Sequence, residues 1–232
     1  MSHRGGSLEA IENTLTAFRK SSQLDTPLIL EMDLCMTKDG SLVVFHDNDM
    51  GRLCGPEWKG SHIKHLTLSQ LPALVVPKPL VGKLDLSDKD CTRIPLFEDV
   101  LREFPQFPMQ IDVKDGSEEM IIKVGSLIRQ HNRSHLTVWG SFKRQQSNWE
   151  SCLIVPNLDW VLRKSWFRAL NELGIQVIVW GSKQDVADGP GGGINTVEGF
   201  ERIRKSGANG ICSDRPTLLK DWLRQNKMTR VE

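Results

Sequence analysis

Between residues 96 and 180, short apolar runs of strand character alternate with stretches of helical periodicity, which confines the chain to a parallel α/β architecture. Residues 96–104 read as a helix, 109–113 as a strand, 118–131 as an amphipathic helix and 136–139 as a strand. The alternation then weakens. It resumes with a helix over 161–173, closed by Gly174, and a strand over 176–180. A helix over 196–206, a short strand at 210–212 and a helix over 217–225 end the chain. Upstream, Ile11, Leu15 and Phe18 recur at helical spacing and predict a helix over 11–22. Residues 28–47 read as two strands joined by Lys38, Asp39 and Gly40, a turn sequence that accommodates positive φ.

The 232 residues suit a single domain and lie near the lower limit, roughly 200, at which a (β/α) barrel is found. Within that domain, residues 51–93 read as a long surface excursion rich in Pro, Gly, Lys and Asp, and residues 185–195 as a glycine-rich loop. Hydrophobic residues at 39% and charged residues at 25% are those of an ordinary globular protein. With 30 Lys and Arg against 29 Asp and Glu, no long-range field recruits nucleic acid. The five cysteines are scattered without a CxxC pair, so they read as reduced thiols and not as a disulfide framework or a zinc site. No apolar run of about 18 residues and no leader pattern occurs, so the chain is expected to be cytoplasmic or membrane-associated, with no evident protein partner.

Charged residues cluster where the strands of a parallel barrel would end: His3 with Arg4, Glu31 with Asp33, and Asp112 with Lys114. Residues two apart on a strand share a face, so Glu31 and Asp33 stand side by side, as do Asp112 and Lys114. Convergent carboxylates on an inward face are stable when a hard divalent cation shares their charge. An all-oxygen set calls for one Mg2+ or Ca2+. His46, at the end of the second hairpin strand, is brought by the turn to the same end as His3. Two imidazoles there supply the acid and base of a phosphodiester displacement. His62, His65, His131 and His135 lack such a setting and read as surface or capping residues. Trp139 and Trp180 read as core or pocket wall.

The runs HRGG (3–6), IENTLTAF (11–18) and EMDLCMTKDGSLVVFHD (31–47) resemble the opening of the glycerophosphodiester phosphodiesterase family. GKLD (82–85), RIPLFEDV (93–100), HLTVWGS (135–141) and GANGICSDRPTLLKDWL (207–223) resemble its lysophospholipase D branch, whose members are membrane-anchored. The resemblance implies a TIM-type (β/α) barrel of the PLC-like phosphodiesterase kind. It also implies His3 and His46 as the acid/base pair, Glu31, Asp33 and Asp112 as ligands of one divalent cation, and Arg4 and Lys114 as phosphate-binding groups. The implied substrates are glycerophosphodiesters or lysophospholipids, met with peripheral membrane contact. The implied products are the head-group alcohol with glycerol 3-phosphate or lysophosphatidic acid.

Measured against that family, the barrel is expected to be incomplete, its first strand truncated and its fifth and sixth strand region shortened. Apolar side chains of 136–139 and 176–180 are expected to be exposed along the gap. Two further readings stand beside the hydrolase: a shortened non-catalytic form acting by binding only, and a cyclising phosphodiesterase of the sphingomyelinase D kind.

Overall fold

The computed structural model describes residues 1–26, 28–114, 117–140, 152–157, 161–181, 192–226 and 228. The strands are β1 (Leu30–Met36), β2 (Leu42–Val44), β3 (Met109–Val113), β4 (Thr137–Gly140), β5 (Cys152–Pro156), β6 (Gln176–Trp180) and β7 (Gly210–Ile211). The helices are α1 (Leu15–Ser22), α2 (Gly51–Cys54), α3 (Phe97–Glu103), α4 (Glu118–Gln130), α5 (Lys164–Glu172), α6 (Val197–Ser206) and α7 (Pro216–Gln225). β1 pairs in parallel with β3 and β3 with β4, while β2 folds back antiparallel on β1 as the hairpin sequence predicts. A second parallel sheet has the order β5-β6-β7. Ser2 joins the two, bridging in parallel to Leu30 on one side and Ser213 on the other.

The staves therefore run Ser2, β1, β3 and β4 one way, and Ser2, β7, β6 and β5 the other. Among the described residues no ladder links β4 to β5. Residues 152–156 pair with β6 along their whole length. A cavity of about 1370 Å³ opens toward the strand starts on this side, lined by Leu136, Thr137 and Val138 and by Gln176, Ile178 and Ile211 among others. The expected exposure along residues 176–180 is not found for the middle of β6. Val177, Ile178 and Val179 are buried, because β5 and β7 flank the strand and α5, α6 and α7 supply the neighbouring apolar residues.

Strand alternation decides which side chains meet the helices and which face the barrel interior. Leu30, Met32 and Leu34 of β1, with Met109, Ile111 and Val113 of β3, form one apolar cluster with residues of α1, α3 and α4. Glu31, Asp33, Gln110 and Asp112 are thereby turned to the opposite face. α1 starts at Leu15, four residues later than the periodicity suggests, because the Thr14 hydroxyl caps it by accepting from Ala17 N–H. Residues 51–93 are more than a surface excursion: Met50, Leu53, Ile63, Leu74, Leu80 and Cys91 pack with Val43 and Phe45 in an apolar cluster. Its residues are spaced irregularly, through short 3-10 turns, so no period announces it.

Phe18 is fully buried in the first cluster and meets Phe104 edge to face, with ring centroids 6.2 Å apart. Phe18→Ala is expected to lower the free energy of unfolding by about 3–5 kcal/mol. Urea denaturation measures this, and a loss below about 1 kcal/mol would show that the cluster had collapsed around the missing ring.

Candidate active site

Parallel register sets three side chains level with one another. Because Ser2 bridges Leu30 and Ser213, the next residue on each segment, His3, Glu31 and Asp214, lies at the same height. His3 Nδ1 is 2.6 Å from Asp214 Oδ1, and its Nε2 is 4.0 Å from Glu31 Oε2. An ionised carboxylate only accepts, so Nδ1 carries the proton and Nε2 is left for acid/base work. The tight turn after His3 places Arg4 at φ 52° and Gly5 at φ 78°. A Cβ on Gly5 would stand 2.7 Å from that of Ala17, so only glycine lets the turn lie against α1.

Neither Asp214 nor its surroundings is assigned a role by the sequence reading. Its carboxylate also accepts from Ser7 Oγ (2.5 Å), Gly193 N–H (2.9 Å) and Asn195 Nδ2 (2.9 Å). Gly193 approaches so closely that a Cβ there would come within 2.5 Å of the Asp214 backbone nitrogen. Burial works against the charge of Asp214, but His3, Ser7 and Asn195 outweigh it and hold the carboxyl well below its ordinary value. Burial likewise opposes a charged His3, but Glu31 and Asp214 raise its pKa overall. The available signal was positional: Asp214 directly follows the last strand region, as the other charged clusters follow theirs.

β1 and β3 bring the second group together, with Asp33 directly opposite Asp112 in the ladder. Lys114 Nζ spans the pair, 2.8 Å from Asp33 Oδ1 and 2.5 Å from Asp112 Oδ2. Asp33 Oδ2 accepts from Asn13 Nδ2 at 2.9 Å and lies 3.4 Å from Arg4 Nε. Burial alone would raise the Asp33 carboxyl, yet Lys114 and Arg4 pull it far below its usual value. Glu31 shifts the other way: burial, then the charge of Asp33, raise it, although Arg4 N–H donates to its Oε2 at 2.7 Å. Asp112 is raised by burial, which Lys114 only partly offsets.

His46 reaches this end because Phe45 N–H donates to Asp33 C=O at 2.9 Å. Its Nδ1 is 2.6 Å from Asp47 Oδ1, and it lines a cavity of about 420 Å³ with Asp47, Asn48, Asp49, Arg52 and Lys114. Trp180 lies at the His3 side: a Cβ on Gly192 would be 3.2 Å from the Trp180 ring and 3.7 Å from His3 Cε1. Trp139 belongs to β4, but its side chain lies outside the described residues, as do residues 185–191 of the glycine-rich loop.

Glu12, Asp33, Glu31, Asp47, Asp112 and Asp214 outnumber the permanent cations Arg4, Arg52 and Lys114 among these contacts, so the donor set suits a hard cation. Among the described residues, ligand atoms of Glu12, His46 and Asp47 lie within 4.8 Å of one another, and the trio Glu31, Asp33 and Asp112 does not form such a set. Both oxygens of Glu12 and of Asp47 are nevertheless taken by arginines, which a cation there would have to displace. Asp33 is held in the same way, by Lys114 at one oxygen and Asn13 at the other, so a cation on β1 and β3 would likewise have to displace a donor.

Asp214→Asn is expected to lower stability most between about pH 4 and 6.5, the ordinary values of the two partners. The depressed Asp214 contributes above its unfolded value, and that contribution fades as pH falls through its folded value. The raised His3 contributes fully below its unfolded value and loses that contribution as pH rises through its folded one. Unfolding of both proteins across pH measures the difference, and a pH-independent gap would show that the pair is not ionised in the fold.

The glycerophosphoryl diester phosphodiesterase family profile matches residues 3–155. A lysophospholipase D GDPD1 of Rattus norvegicus is 40% identical over 283 residues, covering 96% of this chain and 85% of that protein. A glycerophosphodiester phosphodiesterase of Caldanaerobacter subterraneus is 27% identical, with 97% of each chain covered. The crystal structure of a glycerophosphodiester phosphodiesterase from Agrobacterium tumefaciens superposes with a TM-score of 0.71 at 20% identity, covering 96% of this chain and 97% of that one. An Oleispira antarctica phosphodiesterase, solved in complex with sn-glycerol-3-phosphate, gives 0.69 at 18%, with 96% and 95% covered. These likenesses confirm the TIM-barrel fold class. The chain belongs to the glycerophosphoryl diester phosphodiesterase family, whose members are divalent-cation-dependent phosphoric diester hydrolases.

Proposed function

We propose that this chain hydrolyses lysophospholipids and glycerophosphodiesters in the lysophospholipase D manner, releasing the head-group alcohol and leaving lysophosphatidic acid or glycerol 3-phosphate. The observation that carries this reading is the pair of imidazoles, each held through Nδ1 by a carboxylate, at the strand ends that bear Glu31, Asp33 and Asp112. One histidine takes the proton of the attacking water as the new P–O bond forms; where a neighbouring substrate hydroxyl attacks first, the cyclic phosphate it forms is opened by water in a second step. The other gives its proton to the departing head-group oxygen as the old P–O bond breaks. Arg4 and Lys114 lie among these carboxylates and place positive charge where phosphoryl oxygens gain negative charge. Glu31, Asp33 and Asp112 would hold the divalent cation, which when bound supplies a Lewis acid to a phosphoryl oxygen. Trp180, beside His3, would wall the pocket.

A lysolipid substrate brings the protein to a lipid surface, and no helix among the described residues is long and apolar enough to cross a membrane. The test incubates the chain with lysophosphatidylcholine and with glycerophosphocholine, in magnesium, in calcium and in chelator, and follows phosphorus by NMR. A monoester product that forms with a divalent cation and not with chelator is expected. A cyclic phosphate as end product would assign the cyclising reaction instead, and no turnover under any condition would leave a binding role.

A further inference from the structure

Arg52 belongs to none of the clusters the sequence singles out, yet four of the five guanidinium N–H groups it offers go to two carboxylates of the site. Nε donates to Asp47 Oδ2 at 2.6 Å and Nη2 to Asp47 Oδ1 at 2.7 Å, a two-point contact on one edge of the fork. On the other edge, Nη1 donates to Glu12 Oε2 at 2.7 Å and Nη2 to Glu12 Oε1 at 2.9 Å. Both carboxylates continue inward. Asp47 Oδ1 is the atom 2.6 Å from His46 Nδ1, and Glu12 Oε1 accepts from Arg4 Nη1 at 2.9 Å.

We propose that Arg52 is a positioning residue of the acid/base machinery, fixing the His46 ring through Asp47 and the Arg4 side chain through Glu12. A planar fork holding a carboxylate at two points removes its freedom to rotate, which a single point charge would not do. Asp47 is adjacent to His46 in sequence, and its side chain is partly exposed. Held by Arg52, it keeps an accepting oxygen on Nδ1 and so keeps Nε2 free of its proton when a base is needed. Glu12 is 2% exposed, and its burial with two arginines makes this end of the network stiff.

The inference rests on the proposed phosphodiester chemistry for its kinetic consequence, but its structural core can be read without turnover. In nitrogen-15 spectra of the histidine side chains, wild type should show His46 as a single tautomer protonated at Nδ1. Arg52→Gln should convert that signal to a mixture while leaving His3 unchanged. With glycerophosphocholine, kcat of Arg52→Gln should fall by about 10- to 100-fold, as for other groups that orient a primary functional residue. KM should change less than about threefold, a shift small beside the kcat loss. Combined with Asp47→Asn, the further loss on removing Arg52 should be smaller than in the wild-type background, since only its path through Glu12 to Arg4 remains to be lost.

An unchanged His46 tautomer in Arg52→Gln, or losses that multiply fully in the double variant, would overturn the assignment. If Arg52→Gln does not fold, Arg52→Lys keeps the charge without the fork. A mixed His46 tautomer there supports the role, and a wild-type tautomer overturns it. Should the wild-type chain lack turnover, the proposed reaction falls, while the imidazole spectra still decide the part of Arg52.

Discussion

Turnover of His46→Ala falls by about 10²- to 10⁴-fold at saturating divalent cation, with little change in the unfolding midpoint, and His3→Ala falls by a similar factor. The two variants differ in what else they disturb. The His46 side chain is 31% exposed and its ring bonds only to its neighbour Asp47 among the described contacts, so its removal touches the chemistry alone. His3 is 8% exposed and anchors the Asp214 cluster, which places it closer to the core than its position near the start of the sequence suggests. His3→Asn, which retains a donor for Asp214, separates the two effects: it should recover stability and not turnover. Near-normal kcat in either alanine variant would remove that histidine from the mechanism.

Asp33→Ala is expected to cost about 3–5 kcal/mol of stability and to abolish divalent-cation binding, because Asp33 is where the charges of the site meet. Its two oxygens serve Lys114, Asn13 and, at longer range, Arg4. Removing it takes from Lys114 and from Arg4 a carboxylate that each now faces, inside a buried region. Urea unfolding measures the first effect, and calorimetric titration with magnesium and calcium the second. A variant that bound cation as the wild type does would move the metal site away from β1, and the Glu12, His46 and Asp47 group would then have to be reconsidered.

The aligned rat relative spans 283 positions against the 232 residues here, so it contains stretches with no counterpart in this chain. The residues that carry the proposed chemistry are on Ser2 and its neighbours β1, β3 and β7. They are therefore assembled whether or not β4 and β5 meet.

Much of this was legible locally. Period-two alternation turned Glu31, Asp33 and Asp112 to one face while Leu30, Met32 and Leu34 met the helices, and the structure keeps that division. The hairpin turn at Gly40 and the span of the helix over 196–206 follow from backbone chemistry that a few neighbouring residues fix, whereas the cap at Thr14, which starts α1 four residues later than the periodicity, went unread. The apolar cluster under residues 51–93 was hidden, since side chains brought together by successive short turns leave no period to read.

By itself, then, the sequence determined the order of strands and helices and which carboxylates share a face of β1 and β3, because each is a property of a residue and its near neighbours. Only the tertiary structure decided that Asp214, 211 residues away, grips His3, and that Arg52 reaches back 40 residues to Glu12. It also decided that Ser2 joins the two sheets by bridging Leu30 and Ser213. Those pairings depend on how distant segments come into register, and register is set by the packing of whole sheets and helices, which no local pattern encodes.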